Sequence, residues 1–150
     1  MKPKTKDIKM PQFNMISQFV KDFSFESPNV PELFFKQGDG KANIDLKMEV
    51  QVKGAEGGLY MVDVVMKLHS KLEEGDKTVF MIECTYTGLA QMDPKATEED
   101  VKFATLIDVP TLLYPSIRAL VTRITAESGF PPFAPQPFDF KKHYEENNKK

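Results

Sequence analysis

Residues 42–53 alternate without a break between apolar and polar side chains. Ile44, Leu46, Met48, Val50 and Val52 share one parity; Asp45, Lys47, Glu49 and Gln51 share the other. Successive side chains leave a strand on opposite faces, so this stretch reads as an antiparallel strand with one face in a core and one in water. Such a strand needs partners, and the next segments supply them. Gly54-Ala55-Glu56-Gly57-Gly58 makes a turn. Tyr60, Val62, Val64, Met66, Leu68 and Ser70 continue the inward set, and Asp63, Lys67, His69 and Lys71 the outward set. A second turn, Glu73-Glu74-Gly75-Asp76, leads to a strand over 77–87. Phe80, Ile82, Cys84 and Tyr86 lie on one of its faces, and Val79, Met81, Glu83 and Thr85 on the other. Upstream, Phe19, Phe23 and Phe25 point one way in a first strand, with Asp22, Ser24 and Glu26 opposite. Ser27-Pro28-Asn29-Val30-Pro31 ends it, because proline cannot donate to a ladder.

After Gly88 the period changes. Thr97-Glu98-Glu99-Asp100 is a helix start, a hydroxyl cap followed by acids, and that helix is expected to stop before Pro110. Ile117, Leu120, Val121 and Ile124 recur at helical spacing and predict a longer helix over about 112–128. Pro115 is tolerable only in a first turn, which moves the start nearer 114; Gly129 suits the end. Four prolines between 131 and 137 exclude regular structure, and a short helix is expected at about 138–146. Strands first and helices after predict an α+β fold: a four-stranded antiparallel sheet with a long helix and shorter helices on one face. Residues 12–145 form the domain. Residues 1–11 are expected to be a disordered basic tail and 146–150 a second disordered tail.

Charge excludes little by itself. Residues 1–10 hold four lysines and one acid, and 141–150 four lysines and two acids, while the residues between carry 12 basic and 19 acidic side chains. An acidic body favours a basic partner over nucleic acid. The single cysteine, Cys84, allows no internal disulfide and fits a reducing compartment. No apolar run reaches membrane-spanning length, and the start, Met1-Lys2-Pro3-Lys4, lacks the apolar stretch of a secretory signal.

No catalytic or cofactor motif stands out. Gly38-Asp39-Gly40-Lys41 lacks the spacing of a phosphate loop. His69 and His143 have no ligand partners at metal spacing, Cys84 has the environment of a packed strand residue, and Glu98 and Glu99 are helix-start charges. The chain is expected to be no enzyme and to need no cofactor or metal.

Two features remain. The first is the supply of aromatics: 12 phenylalanines and no tryptophan. Phe34 and Phe35 follow a proline-containing turn, and Phe130, Phe133, Phe138 and Phe140 flank the second proline-rich segment. Such rings either cover the sheet's margins or floor a groove that takes apolar side chains without reading sequence. The second is the outward parity of the sheet, where Asp22, Glu26, Asp45, Glu49, Asp63 and Glu83 accompany Met81 and Val79. This is either a solvated face or a docking face for a basic partner.

Several stretches resemble one family. Lys21-Asp22-Phe23-Ser24-Phe25-Glu26-Ser27-Pro28-Asn29, Ile44-Asp45-Leu46, Phe80-Met81-Ile82-Glu83 with Gly88, Leu113-Tyr114-Pro115 with Arg118, and Gly129-Phe130-Pro131 with Pro137 and Phe140 are similar to SecB, the bacterial protein-export chaperones. The resemblance spans roughly residues 12–145. It implies a cytoplasmic, ATP-independent homotetramer, a dimer of dimers, that holds unfolded precursor proteins and delivers them to the SecA translocation ATPase. It implies SecA binding by Asp22, Glu26, Met81 and Glu83. It implies client binding at Phe34, Phe130 and Phe140, with Phe35, Phe133 and Phe138 as neighbours. It also implies that Ile82, Cys84 and Tyr86 belong to a stretch governing oligomer formation, and that no nucleic acid is bound and no membrane entered. Two other readings fit the same aromatic groove: a SecB-like guardian of an antitoxin, and a small-molecule carrier.

Overall fold

The computed structural model describes residues 12–36 and 40–148. The tail expected over 1–11, residues 37–39 and the last two lysines lie outside the described residues. Four strands, β1 (Phe13–Glu26), β2 (Ala42–Gly54), β3 (Leu59–Leu72) and β4 (Thr78–Met92), form one antiparallel sheet in the order β1-β4-β3-β2. A single helical turn, α1 (Glu32–Phe35), links β1 to β2. Helices α2 (Glu98–Phe103), α3 (Val109–Glu127) and α4 (Phe140–Asn148) come after the strands, as the order of periods predicts.

The two central strands behave as their alternation requires. Val62, Val64, Met66 and Leu68 of β3 and Phe80, Ile82, Cys84 and Tyr86 of β4 are all buried. They meet Val109, Leu113, Ile117 and Val121, which recur on one face of α3. Gly88 does not end β4, which runs on to Met92. A Cβ at Gly88 would lie 2.8 Å from the Met15 side chain and 3.2 Å from that of Leu113. The glycine is therefore the place where α3 seats closest to the sheet.

β1 begins six residues earlier than its alternation shows, because two bulges interrupt it. Its register against β4 shifts between Met15 and Ser17 and again between Val20 and Asp22, leaving Ile16 and Lys21 unopposed. Each extra residue exchanges the faces of the residues downstream of it. Phe19, expected beside Phe23 and Phe25, instead pairs with Thr87 and lies on the outer face, whereas Phe23 pairs with Cys84 and Phe25 with Ile82 on the inner face. A comparable irregularity sits opposite Ser70 and Lys71. It turns Val79, expected on the outer face, toward the core side.

The helical region also departs from expectation. The helix that starts at Thr97, where Thr97 and Asp100 cap each other reciprocally, does not stop before Pro110. It passes through a π-helical turn at Ala104–Asp108, in which the Val109 N–H reaches the Ala104 carbonyl, and continues as α3. A widened turn makes room for a ring that cannot donate and that crowds the preceding turn. Pro110 is buried and Pro115 lies inside the helix. α4 extends two residues past its expected end, so Glu146–Asn148 are helical.

Gly88→Val tests the helix seat. Forcing two methyl groups between Met15 and Leu113 is expected to lower stability by about 1–3 kcal/mol, read from the urea midpoint; an unchanged midpoint would show that α3 has slack to move.

Candidate functional site

A file of phenylalanine rings leads from the core to the surface. Phe25 stacks on Phe80 at 6.0 Å, Phe80 meets Phe130 at 5.4 Å, and Phe130 meets Phe34 at 5.2 Å. Phe80 is buried, Phe130 half-buried, and Phe34 is 47% exposed. The file opens into a groove of about 640 Å³, whose walls include Phe34, Ile44, Val79, Phe80, Phe130 and Phe133.

Local bonding holds both walls. The Ser27 hydroxyl donates to the Val79 carbonyl at 2.8 Å and the Asn29 amide to the Thr78 carbonyl at 3.0 Å, which pins the turn carrying α1 to the start of β4. At the end of α3, Gly129 adopts φ 85°, and a Cβ there would press on the Phe34 ring at 3.2 Å. Glycine thus serves twice, by ending the helix and by admitting the ring. The fully buried Thr125 hydroxyl donates to Val121 and accepts the Phe133 N–H at 3.0 Å. That bond folds the proline-rich segment back over α3.

The structure brings Phe34, Phe130 and Phe133 together and leaves Phe35, 77% exposed, outside the groove's lining. It separates the other two expected client residues. Phe140 is 1% exposed and belongs to the interior, packed edge-on against Phe138 at 4.7 Å and Tyr114 at 6.0 Å. Phe138 is half-buried in the same cluster and does not line the groove. This correction has a packing cause. α4 begins at Phe140, and the Tyr114 hydroxyl donates to the Gln136 carbonyl, so both rings are drawn against Tyr114 in the N-terminal part of α3. Ile44 and Phe80, inward by parity, also line the groove together with Val79, which parity had placed outward; the proline–glycine punctuation at 28–31 and 129–132 was the signal that the sheet's inner face is left uncovered there.

Pairing across all four strands sets the outer face in rows. One row reads Asp45, His69, Met81, Glu26; the next Lys47, Lys67, Glu83, Ser24; the third Glu49, Val65, Thr85, Asp22. The four expected docking residues Asp22, Glu26, Met81 and Glu83 are therefore contiguous on β1 and β4, with Glu26 directly opposite Met81. Beyond them Lys21, the second bulge residue, reaches Asp63 on β3 at 3.0 Å, and the Thr87 hydroxyl donates to the same carboxylate at 2.6 Å. That network ties three strands together.

Ile82, Cys84 and Tyr86 lie in the core beneath α3 and cannot touch another subunit directly. They stand directly opposite Phe25, Phe23 and Val20 of β1. Any influence on assembly therefore passes through the position of β1, one of the two edge strands, where Ile16 is 60% exposed and Val20 is also exposed.

Burial pushes the Cys84 thiol up to about 11, and the Asp22 carboxylate adds to the shift. An unfolded state that releases a proton near 9, while the native state keeps it to about 11, gains on the native state with each step of pH in that window. Stability should thus fall more steeply there for the wild type than for Cys84→Ala, measured by urea unfolding below and within the window; parallel slopes would refute a protected thiol.

Comparison with known proteins bears on this site. The family model described as "Preprotein translocase subunit SecB" matches residues 6–150. The chain is 40% identical to the protein-export protein SecB of Caulobacter vibrioides over 126 residues, 84% of this chain and 75% of that protein. It is 32% identical to the protein-export protein SecB of Neisseria gonorrhoeae over 136 residues, 91% of this chain and 90% of the other. Among solved structures, a SecB-like chaperone of Mycobacterium tuberculosis, in complex with a peptide from an antitoxin, superposes with a TM-score of 0.71 at 16% identity. It covers 85% of this chain and 91% of its own, which is a likeness of fold.

Proposed function

The chain belongs to the SecB family of protein-export chaperones, and from that premise we propose that it holds unfolded precursor proteins in an export-competent state and passes them to the SecA ATPase. The observation that carries the reading is the open end of the ring file. Phe34, on the groove wall, keeps much of its surface in water beside a groove that reaches the buried Phe80. An extended client can lay apolar side chains there, each worth roughly 1.5–3 kcal/mol when buried. Apolar burial has no direction, so the groove accepts many sequences. One groove holds weakly, and tight retention comes from several grooves acting on one client. This supports a homotetramer built as a dimer of dimers, and the exposed apolar edge of β1 with Leu112 of α3 is the surface we assign to subunit pairing.

Nucleotide chemistry has no part in this reading. The chain works as a non-enzymatic chaperone in the cytoplasm, and release is competition for the client rather than hydrolysis. SecA docks on Asp22, Glu26, Met81 and Glu83 through a basic segment. Three carboxylates around one thioether combine long-range attraction with a small apolar contact. Among the described residues no helix is long and apolar enough to cross a membrane. The main reading is preferred to antitoxin guarding because the relatives with substantial identity are export proteins.

Phe34→Ala removes half-exposed surface, so the fold should survive while client release becomes about tenfold faster, equivalent to ~1.4 kcal/mol. Stopped-flow release of a fluorescent unfolded precursor would show this, with native mass spectrometry confirming that assembly is intact; undiminished retention would place the client elsewhere.

Asp22→Lys combined with Glu83→Lys reverses two of the three carboxylates assigned to docking. SecA affinity should drop at least about tenfold, with client release unaffected. Calorimetry at low and moderate salt checks this, and wild-type affinity in the double variant would remove SecA from that face.

A further inference from the structure

The outer face carries two acidic tracks, not one. The first is Asp22, Glu83 and Glu26 on β1 and β4. The second is Asp45 and Glu49 on β2, two strands away. Their surroundings differ. On the first track Lys21 is engaged by Asp63 at 3.0 Å, and only Glu83 has a cation, Lys67, directly opposite it; Asp22 and Glu26 stand opposite Thr85 and Met81. On the second, Lys47 stands between Asp45 and Glu49 on the same face of the same strand, and Lys67 stands directly opposite Lys47 on β3. Among the described residues neither lysine has a carboxylate within ion-pair distance. Like charges directly opposed across a sheet are unfavourable, so Lys47 gains nothing from its pairing with Lys67, whereas Lys67 has Glu83 directly opposite on its other side, at the boundary of the first track.

We propose that Lys47 and Lys67 form a positive fence that cancels the second track and confines SecA's basic segment to the β1–β4 half of the face. The inference rests on the docking assigned above and adds the register to it. Neighbouring strands are ~4.8 Å apart, so a basic segment that slides one strand toward β3 brings its cations against Lys67, and two strands against Lys47. Repulsion at that range acts inside the screening length of ~8 Å at physiological salt. Without the fence the same segment has two places to lie, and the client-bearing groove would be presented to SecA in two orientations. Excluding a near-equivalent site by like charge is how interfaces achieve specificity when attraction alone is ambiguous.

The test places a photo-reactive residue at Ser24, on the first track, or at Gln51, on the second, in the full chain with SecA as the probe. The wild type should cross-link from position 24 and barely from position 51. Lys47→Gln with Lys67→Gln, two exposed substitutions, should make position 51 cross-link comparably, with affinity rising roughly twofold to fivefold. Equal cross-linking from both positions in the wild type, or a footprint unmoved by the double substitution, overturns the fence while leaving docking intact. Absence of cross-links from both positions, with affinity unchanged in Asp22→Lys/Glu83→Lys, overturns the docking itself and the fence with it.

Discussion

A single long helix rests on two of the four strands, and that contact governs the rest of the molecule. Leu113, Ile117 and Val121 of α3 reach β3 and β4, where the glycine at 88 and the alanine at 90 allow close approach. A helix is about 10 Å across with its side chains, and four strands span more than that. The margins of the inner face therefore stay open. On β2 only Met48 is buried, while Ile44 and Val52 remain exposed.

One open margin becomes the groove. The residues that would otherwise close it, the turn after β1 and the segment after α3, are rich in proline and cannot supply regular elements to pack there. They supply rings instead, and the rings run outward from Phe25 through Phe80 and Phe130 to Phe34. Apolar surface that no element of the chain can cover is what a holding chaperone requires, since the energy that would have stabilised its own fold remains for a client. The other margin is β1, whose edge exposes Ile16 and Val20 and which the interior residues Ile82, Cys84 and Tyr86 position from behind. The groove and the exposed apolar edge of β1 are thus two results of one narrow cover.

The opposite face of the sheet has no cover, and there charge replaces packing. The second bulge of β1 sends Lys21 to Asp63 while keeping Asp22 and Glu26 outward. The same irregularity that ties β1 to β3 commits Lys21, the sequence neighbour of Asp22, to Asp63. The proposed client groove and the proposed SecA face thus lie on opposite sides of one sheet, the first resting on burial and the second on electrostatics.

Alternation in residues 42–53 and 60–87, helical spacing at 117–124 and the order of those periods were enough to determine the α+β class, the antiparallel sheet and which residues of β3 and β4 face inward. Each is a local rule of backbone geometry. The outward set Asp22, Glu26, Met81 and Glu83 was legible for the same reason, because parity survives wherever a strand is unbroken. Bulges at Ile16 and Lys21, the passage of the helix through Pro110 and the burial of Phe140 were not legible. A bulge is set by what the neighbouring strand demands, a widened turn by how a proline is accommodated, and a ring's burial by whichever helix it happens to meet. Phe34 and Phe140 look alike in the sequence, both phenylalanines near proline. Tertiary structure alone decided that one faces water and the other the core, because exposure depends on the width of the covering helix and not on the residue being covered.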